Sequence, residues 1–188
     1  MRVIAGQFKG RHLKAVPGKT TRPTADKIKE AIFQVIGPFF NGGHCLDLFA
    51  GSGSLGIEAL SRGMEHSVFV DKHPKAVQTI QQNTEVLHIS DKIEIFRTDA
   101  YRAINAVSKR DIKFNLILLD PPYGKVDYEK LLNQIIKLEI LEENGVIYCE
   151  YDSTENLPSS IKGLTLIKEE IYGKTIGISI YRKEKHDD

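Results

Sequence analysis

The chain has 188 residues, 41% of them hydrophobic and 27% charged, and a net charge of +1, the composition of a soluble globular protein long enough for one well-buried core. No apolar run approaches the roughly 18 to 20 residues of a membrane span, and the first residues carry no signal-peptide core, so a cytoplasmic protein is expected. Cys45 and Cys149 stand singly in apolar runs and the six histidines form no ligand-spaced pair, so neither a disulfide nor a metal is assigned.

Residues 2–8 and 11–16 read as two short strands about a turn at Gly10, followed by a loop over 17–21. Thr24 stands where an N-cap would. Ile28, Ala31, Ile32, Val35 and Ile36 recur at i, i+3, i+4 spacing, one face of a helix that Gly37-Pro38 ends. Residues 1–29 hold eight basic side chains against Asp26 alone, a net +7 that leaves −6 for the rest. A basic arm on a mildly acidic body has the form of a nucleic-acid grip, with Arg2, Lys9, Arg11, Lys14, Lys19 and Arg22 as candidate contacts. A merely solvated basic segment is the competing reading.

From residue 44 the pattern changes. Residues 45–49 read as a strand, and the turn Ala50-Gly51-Ser52-Gly53-Ser54-Leu55-Gly56 opens a helix closing at Gly63. A second strand over 67–70 ends at Asp71, and a helix runs from Pro74 to about Leu87. A third strand, 92–96, leads to Thr98-Asp99-Ala100 and another helix. The fourth strand, 116–119, stops at Asp120. A helix near 128–138 precedes a fifth strand over 145–150, and 164–171 with 175–181 form an antiparallel pair joined at Gly173-Lys174. The expectation is an α/β fold: a doubly wound, mostly parallel seven-stranded sheet with an antiparallel C-terminal edge hairpin, plus a small N-terminal β-hairpin. One domain over 1–188 is expected, with 1–20 as a basic extension and 21–188 as the core.

Gly51, Gly53 and Gly56 match GxGxxG between a strand and a helix, the dinucleotide fingerprint, which makes a nicotinamide-dependent enzyme the first competitor. Asp47 counts against it. Four residues before the first glycine, its carboxylate suits an ammonium or sulfonium better than a pyrophosphate, and no hydride-transfer constellation follows. The glycines let the backbone come close to a ligand, and a valine at Gly53 is expected to fill that approach. Asp71 is placed for ribose hydroxyls, and Asp99 with Ala100 for an adenine edge. Pro121 and Pro122 cannot continue a ladder. The chain must leave the sheet in a rigid turn, holding the Asp120 carboxylate, the Pro121 carbonyl and the Tyr123 ring at the strand's carboxyl end, where open α/β sheets bind ligands. Two acceptors beside an aromatic face suit an amine-bearing nucleobase.

Asp47-Leu48-Phe49-Ala50-Gly51-Ser52-Gly53, Val70-Asp71 and Asp120-Pro121-Pro122-Tyr123, in that order, resemble the class I methyltransferases that act on exocyclic amines of nucleobases. Arg2-Val3-Ile4-Ala5-Gly6 with Lys9-Gly10-Arg11, then Thr21-Arg22-Pro23-Thr24 and Tyr172-Gly173-Lys174-Thr175, extend the similarity end to end with the bacterial 16S rRNA (guanine(966)-N2)-methyltransferase family. The resemblance implies a Rossmann-like methyltransferase fold and S-adenosyl-L-methionine as cofactor, held by Asp47, Phe49, Ala50, Gly51, Ser52, Gly53, Asp71, Lys72, Asp99 and Ala100. It implies Asp120, Pro121, Pro122 and Tyr123 as catalytic residues. The implied substrate is a guanine N2 amine of 16S rRNA, in a partly or fully assembled small ribosomal subunit, and the implied state is a monomer. The DPPY tetrapeptide also serves adenine N6, so adenine methylation of DNA or RNA is the alternative. A non-catalytic RNA-binding module with a vestigial nucleoside pocket is the reading of another class.

Overall fold

Apolar runs that stop at an acid become the strands of one sheet. In the computed structural model, which describes residues 1–19 and 25–185, the elements are α1 (Ala25–Ile36), β1 (His44–Asp47), α2 (Ser54–Ser61), β2 (His66–Asp71), α3 (Pro74–Val86), a 3-10 turn (Ser90–Lys92), β3 (Ile93–Arg97), α4 (Ala100–Ser108), β4 (Phe114–Leu119), α5 (Tyr128–Lys137), β5 (Leu141–Asp152), β6 (Leu164–Tyr172) and β7 (Ile176–Lys183). The sheet order is β3-β2-β1-β4-β5-β7-β6. The β1–β2, β2–β3 and β4–β5 pairs are parallel, whereas β7 runs antiparallel to β5 and β6. The expected fold class is borne out. Thr24 as N-cap, the Thr21–Thr24 segment and Arg22 lie outside the described residues. The chain divides into two compact units, Met1–Ala100 and Tyr101–Asp188.

In the first unit β1 and β2 are buried almost throughout, as parallel strands covered on both faces are. Strand β1 ends at Asp47, two residues earlier than expected, because the chain turns there and the Ala50 N–H donates to the Val70 carbonyl at 2.9 Å. Gly56 lets α2 lie close on β2: a Cβ there would stand 2.4 Å from Phe69 Cε1.

The expected small N-terminal hairpin is short, one antiparallel bridge of Arg2 with His12, with the Val3 N–H on the Arg11 carbonyl and the Leu13 N–H on the Met1 carbonyl. Its missing rungs have other partners. The Ile4 N–H donates to both carboxylate oxygens of Glu58 and the Ala5 N–H to one, while Gln7 and Phe8 donate to the Ser61 carbonyl and hydroxyl. Gly6 (φ +88) lies so close to α2 that a Cβ would fall 1.8 Å from the Ser61 carbonyl oxygen. Residues 4–8 are thus sewn to α2, and Val3 and Leu13 enter a core with Ile57, Leu60, Phe69 and Ile80. Glu58 is fully buried and pairs with Arg62 at 3.2 Å; the Arg62 guanidinium donates to the Pro38 carbonyl and lies over the Phe33 ring. Removing one member of such a pair costs about 3–5 kcal/mol, because the other charge stays buried.

In the second unit β5 is twelve residues long, not six. It starts four residues earlier than expected and passes through Glu142-Glu143-Asn144-Gly145 as an irregularity, with the β4–β5 register shifting between Phe114 and Leu116 and Asn144 at φ +61. Beyond Glu150 the strand continues because Tyr151 and Asp152 pair with Gly177 and Ile176 of β7. Helix α5 is capped by Asp127, which accepts the Lys130 N–H at 3.1 Å, and buries Leu131, Leu132 and Ile135.

Candidate active site

The acid closing β1 is buried, 1% exposed. Asp47 Oδ2 accepts the Gly56 N–H at 3.1 Å, tying the strand end to the first turn of α2, whereas Oδ1 has no hydrogen-bond partner among the described residues. Burial raises the carboxyl pKa to about 7; the Gly56 N–H opposes the rise and the charge of Asp71 adds to it. A buried carboxylate oxygen without a donor is costly unless a ligand supplies one. A cationic group fits that need.

Over Asp47 runs the glycine-rich turn. Gly51 has φ +56, and a Cβ there would meet nothing within 4 Å. Gly53 differs. Its Cβ would point at Ile57, Ile80 and Phe69, each at 3.4 Å, and its φ of +84 is the left-handed cap of α2. The expectation that valine at Gly53 blocks a ligand is therefore corrected. That substitution strains the helix cap and the core, and the open face belongs to Gly51.

Asp71 ties three junctions together. Its Oδ2 accepts the Gly51 N–H and its Oδ1 the His73 N–H, both at 2.9 Å, and its main-chain carbonyl accepts the Thr98 N–H at 3.2 Å. The turn over 49–53, Asp71 and the segment leading to Asp99 are thus joined at the carboxyl ends of β1, β2 and β3. Phe49 and Ser52 are half-buried, Ala50 and Ala100 buried, Lys72 and Asp99 exposed.

Two residues of this unit escape a reading of the sequence. Asn83 of α3 donates from Nδ2 to the Ser52 carbonyl (2.9 Å) and the Lys14 carbonyl (3.0 Å), and accepts the Lys14 N–H at 2.9 Å. Lys29 of α1 is buried, donating to the Arg2 carbonyl at 2.6 Å and the Ser54 hydroxyl at 2.9 Å, and burial lowers its pKa. A lone helical Asn and a Lys in a basic segment both read as solvated, so no local signal marks them. Lys29 drops out of the basic surface. Arg2, Lys9, Arg11, Lys14 and Lys19 are exposed, with Arg2 3.9 Å from Asp26 and Arg11 donating to the Val86 carbonyl.

In the second unit the turn follows β4. Pro121 is buried, Asp120 and Tyr123 half-buried and Pro122 exposed. The turn closes with the Lys125 N–H on the Pro122 carbonyl at 3.3 Å, and Gly124 sits at φ +70. Tyr128 stands at the start of α5, and the sequence marks it only as a helix residue. Its buried hydroxyl lies within hydrogen-bonding reach of two carbonyls, that of Leu119 at 3.3 Å and that of Glu150. One O–H thus braces the residue before Asp120 against the end of β5. Tyr128→Phe leaves both carbonyls without that donor. It is expected to lower turnover about tenfold by loosening the turn, with cofactor affinity unchanged, in steady-state kinetics paired with calorimetry. A merely structural tyrosine would lower the melting temperature and leave kcat per folded molecule as it was.

The parallel strands flanked by an antiparallel β7 define a Rossmann-like methyltransferase fold. A solved structure titled putative methyltransferase yhhF from Escherichia coli matches with a TM-score of 0.82 and 27% identity, covering 99% of each chain. The chain belongs to the family described as conserved hypothetical protein 95, whose sequence model matches residues 1–182. It is 51% identical over 183 residues to the Bacillus subtilis (strain 168) protein named putative rRNA methyltransferase YlbH, covering 97% of this chain and 99% of that one. It is 32% identical over 183 residues to the Haemophilus influenzae protein named ribosomal RNA small subunit methyltransferase D, covering 97% and 92%. The family resemblance read from the opening segment and the closing Tyr172–Thr175 turn is borne out by these relatives.

Proposed function

We propose that the protein transfers the methyl group of S-adenosyl-L-methionine to the exocyclic N2 amine of a guanine in 16S rRNA of the small ribosomal subunit. The observation that carries this reading is the Asp120–Tyr123 turn at the end of β4, in a chain 51% identical to the protein named putative rRNA methyltransferase YlbH. When bound, the cofactor supplies an electrophilic methyl on a sulfonium. Asp47, Gly51 and Gly53 would hold its methionine portion, Asp71 its ribose and Asp99 with Ala100 its adenine, with Phe49, Ala50, Ser52 and Lys72 completing the cradle. Asp71 keeps lone pairs for this beyond those taken by Gly51 and His73.

The guanine amine is a poor nucleophile because its lone pair is delocalised into the ring. The Asp120 carboxylate and the Pro121 carbonyl accept its two hydrogens, favour a pyramidal nitrogen and aim the lone pair at the methyl carbon; the N–C bond would form as the S–C bond breaks, a neutral thioether would leave, and the nitrogen would lose one proton to Asp120 or to water. Tyr123 stacks on the extruded base and fixes its plane. Positioning of this kind can contribute up to about 7–11 kcal/mol. The protein acts as a monomer in the cytoplasm on a partly or fully assembled subunit, gripping RNA with the exposed basic residues of 1–20, a segment whose Val3 and Leu13 belong to the core and not to an appended extension.

Mass-spectrometric mapping of modified nucleosides in rRNA from cells with and without the gene tests this. Loss of one N2-methylguanosine from 16S rRNA is expected. Loss of an N6-methyladenosine would move the substrate to adenine, and an unchanged profile without methyl transfer in vitro would leave a binding module.

The arm has its own test. Charge reversal at Lys9, Arg11 and Arg22 is expected to weaken RNA binding. Each lost phosphate contact should lower the log–log salt slope by about 0.7 to 0.9, with cofactor affinity unchanged, read by salt titration of each variant. Three wild-type slopes would make the arm a solvated surface.

A further inference from the structure

We propose that Glu150 selects the base by accepting the N1–H of guanine next to the amine held by Asp120. The inference rests on the methyltransferase reading above and names the residue that would settle guanine against adenine at the same site.

The placement follows from the sheet. Strands β4 and β5 pair in parallel with Leu118 opposite Tyr148 and Leu119 opposite Cys149. One step further, Asp120 and Glu150 stand at neighbouring positions, on the face that Leu118 and Tyr148 occupy, because side chains alternate with period two. The strand ends do not splay there, since the Tyr128 hydroxyl reaches the carbonyls of both Leu119 and Glu150. The Glu150 side chain is also aimed. Tyr148, 1% exposed, donates its hydroxyl to Glu150 Oε1 at 3.2 Å. The charges of Glu150 and Asp120 both add to the rise that burial imposes on the Tyr148 phenol, as two carboxylates near one hydroxyl would.

The chemistry needs such a group. An amine acceptor by itself does not tell guanine from adenine, because both bases present an exocyclic NH2. The ring nitrogen beside it does: N1 carries a hydrogen in guanine and a lone pair in adenine. A carboxylate next to Asp120 bonds the first and repels the second. Anchoring by Tyr148 takes one of about four lone-pair sites, so the carboxylate can hold a base edge as well. If Glu150 served only to satisfy the Tyr148 hydroxyl, its replacement would slow all substrates alike.

The test compares small-subunit RNA carrying guanine or 2-aminopurine at the mapped target position. 2-Aminopurine keeps the 2-amino group but has a bare N1. Wild-type protein is expected to methylate guanine at least about tenfold faster in kcat/KM, the scale of a hydrogen bond to a charged partner. Glu150→Gln, whose amide can donate to a bare N1, is expected to shrink that preference by about tenfold or more. Tyr148→Phe, which leaves the carboxylate but removes its anchor, is expected to shrink it by less. Equal wild-type rates on the two bases overturn the inference. So does a full preference kept by folded Glu150→Gln or, should that variant not fold, by Tyr148→Phe. In each of those cases guanine methylation itself survives. Wild-type protein that transfers no methyl to guanine N2 overturns the methyltransferase reading and the inference with it.

Discussion

Asp120→Ala is expected to lower the methyl-transfer rate at least about a hundredfold while cofactor affinity stays within about twofold. The side chain is half-buried at the mouth of a turn that the two prolines, the Lys125 to Pro122 hydrogen bond and the Tyr128 brace beneath Leu119 also hold. Truncation therefore removes an acceptor without removing the turn. The Pro121 carbonyl would still take one amine hydrogen, but the other would have no partner, and the nitrogen would return to its planar, delocalised state. Single-turnover kinetics with calorimetry on the same preparation separates rate from binding. A collapse of cofactor affinity instead would assign Asp120 to the cofactor pocket and sink the amine-orienting role.

Asp47→Asn is expected to lower cofactor affinity by about a hundredfold or more, as for removal of one partner of a desolvated charge pair, without lowering the stability of the free protein at pH 8. The sign follows from the raised carboxyl. Its pKa goes from 3.8 to about 7, chiefly through burial, so the folded state holds a proton that the unfolded state has released between those values. The stability from this group is full below about pH 4, declines as pH rises and is lost above about pH 7, on the order of 4 kcal/mol in all. Asparagine carries no charge to desolvate and escapes the loss. Ligand binding has the opposite slope. A cationic group against Asp47 favours the carboxylate, so at pH 6 binding releases a proton and affinity rises towards pH 7. Calorimetry in two buffers of different ionisation enthalpy reads that proton directly. Wild-type protein should show it and Asp47→Asn should not; an equal signal from both would remove Asp47 from the binding step.

The halves of the site that were legible in the sequence are those written locally. Asp47, Asp71 and Asp120 each end an apolar run, and a run that stops at an acid marks both a strand end and a polar group at it. What stayed illegible depends on partners far along the chain. The opening residues read as a strand, but Glu58, 54 residues past Ile4, takes their N–H groups. Gly51 and Gly53 are equivalent letters in one motif, and only the fold turns one to the open side and the other to Ile57 and Ile80. Residues 142–145 lie within β5 although only the residues on either side, Leu141 opposite Phe114 and Val146 opposite Leu116, pair with β4. Tyr128 and Glu150 acquire meaning only in the fold, where α5 brings the Tyr128 hydroxyl to the Leu119 and Glu150 carbonyls and Glu150 follows the Leu119–Cys149 pair.

The two cysteines supply something the site itself lacks. Cys45 lies in β1 and Cys149 in β5, both fully buried, with burial pushing each thiol pKa well up and leaving it inert to alkylation while its surroundings stay closed. One falls in each compact unit, Cys45 two residues before Asp47 and Cys149 one before Glu150. The molecule thus carries a native clock in each half. Labelling rates at Cys45 and Cys149, resolved by peptide mass, time the opening of the two units separately, without a single engineered probe.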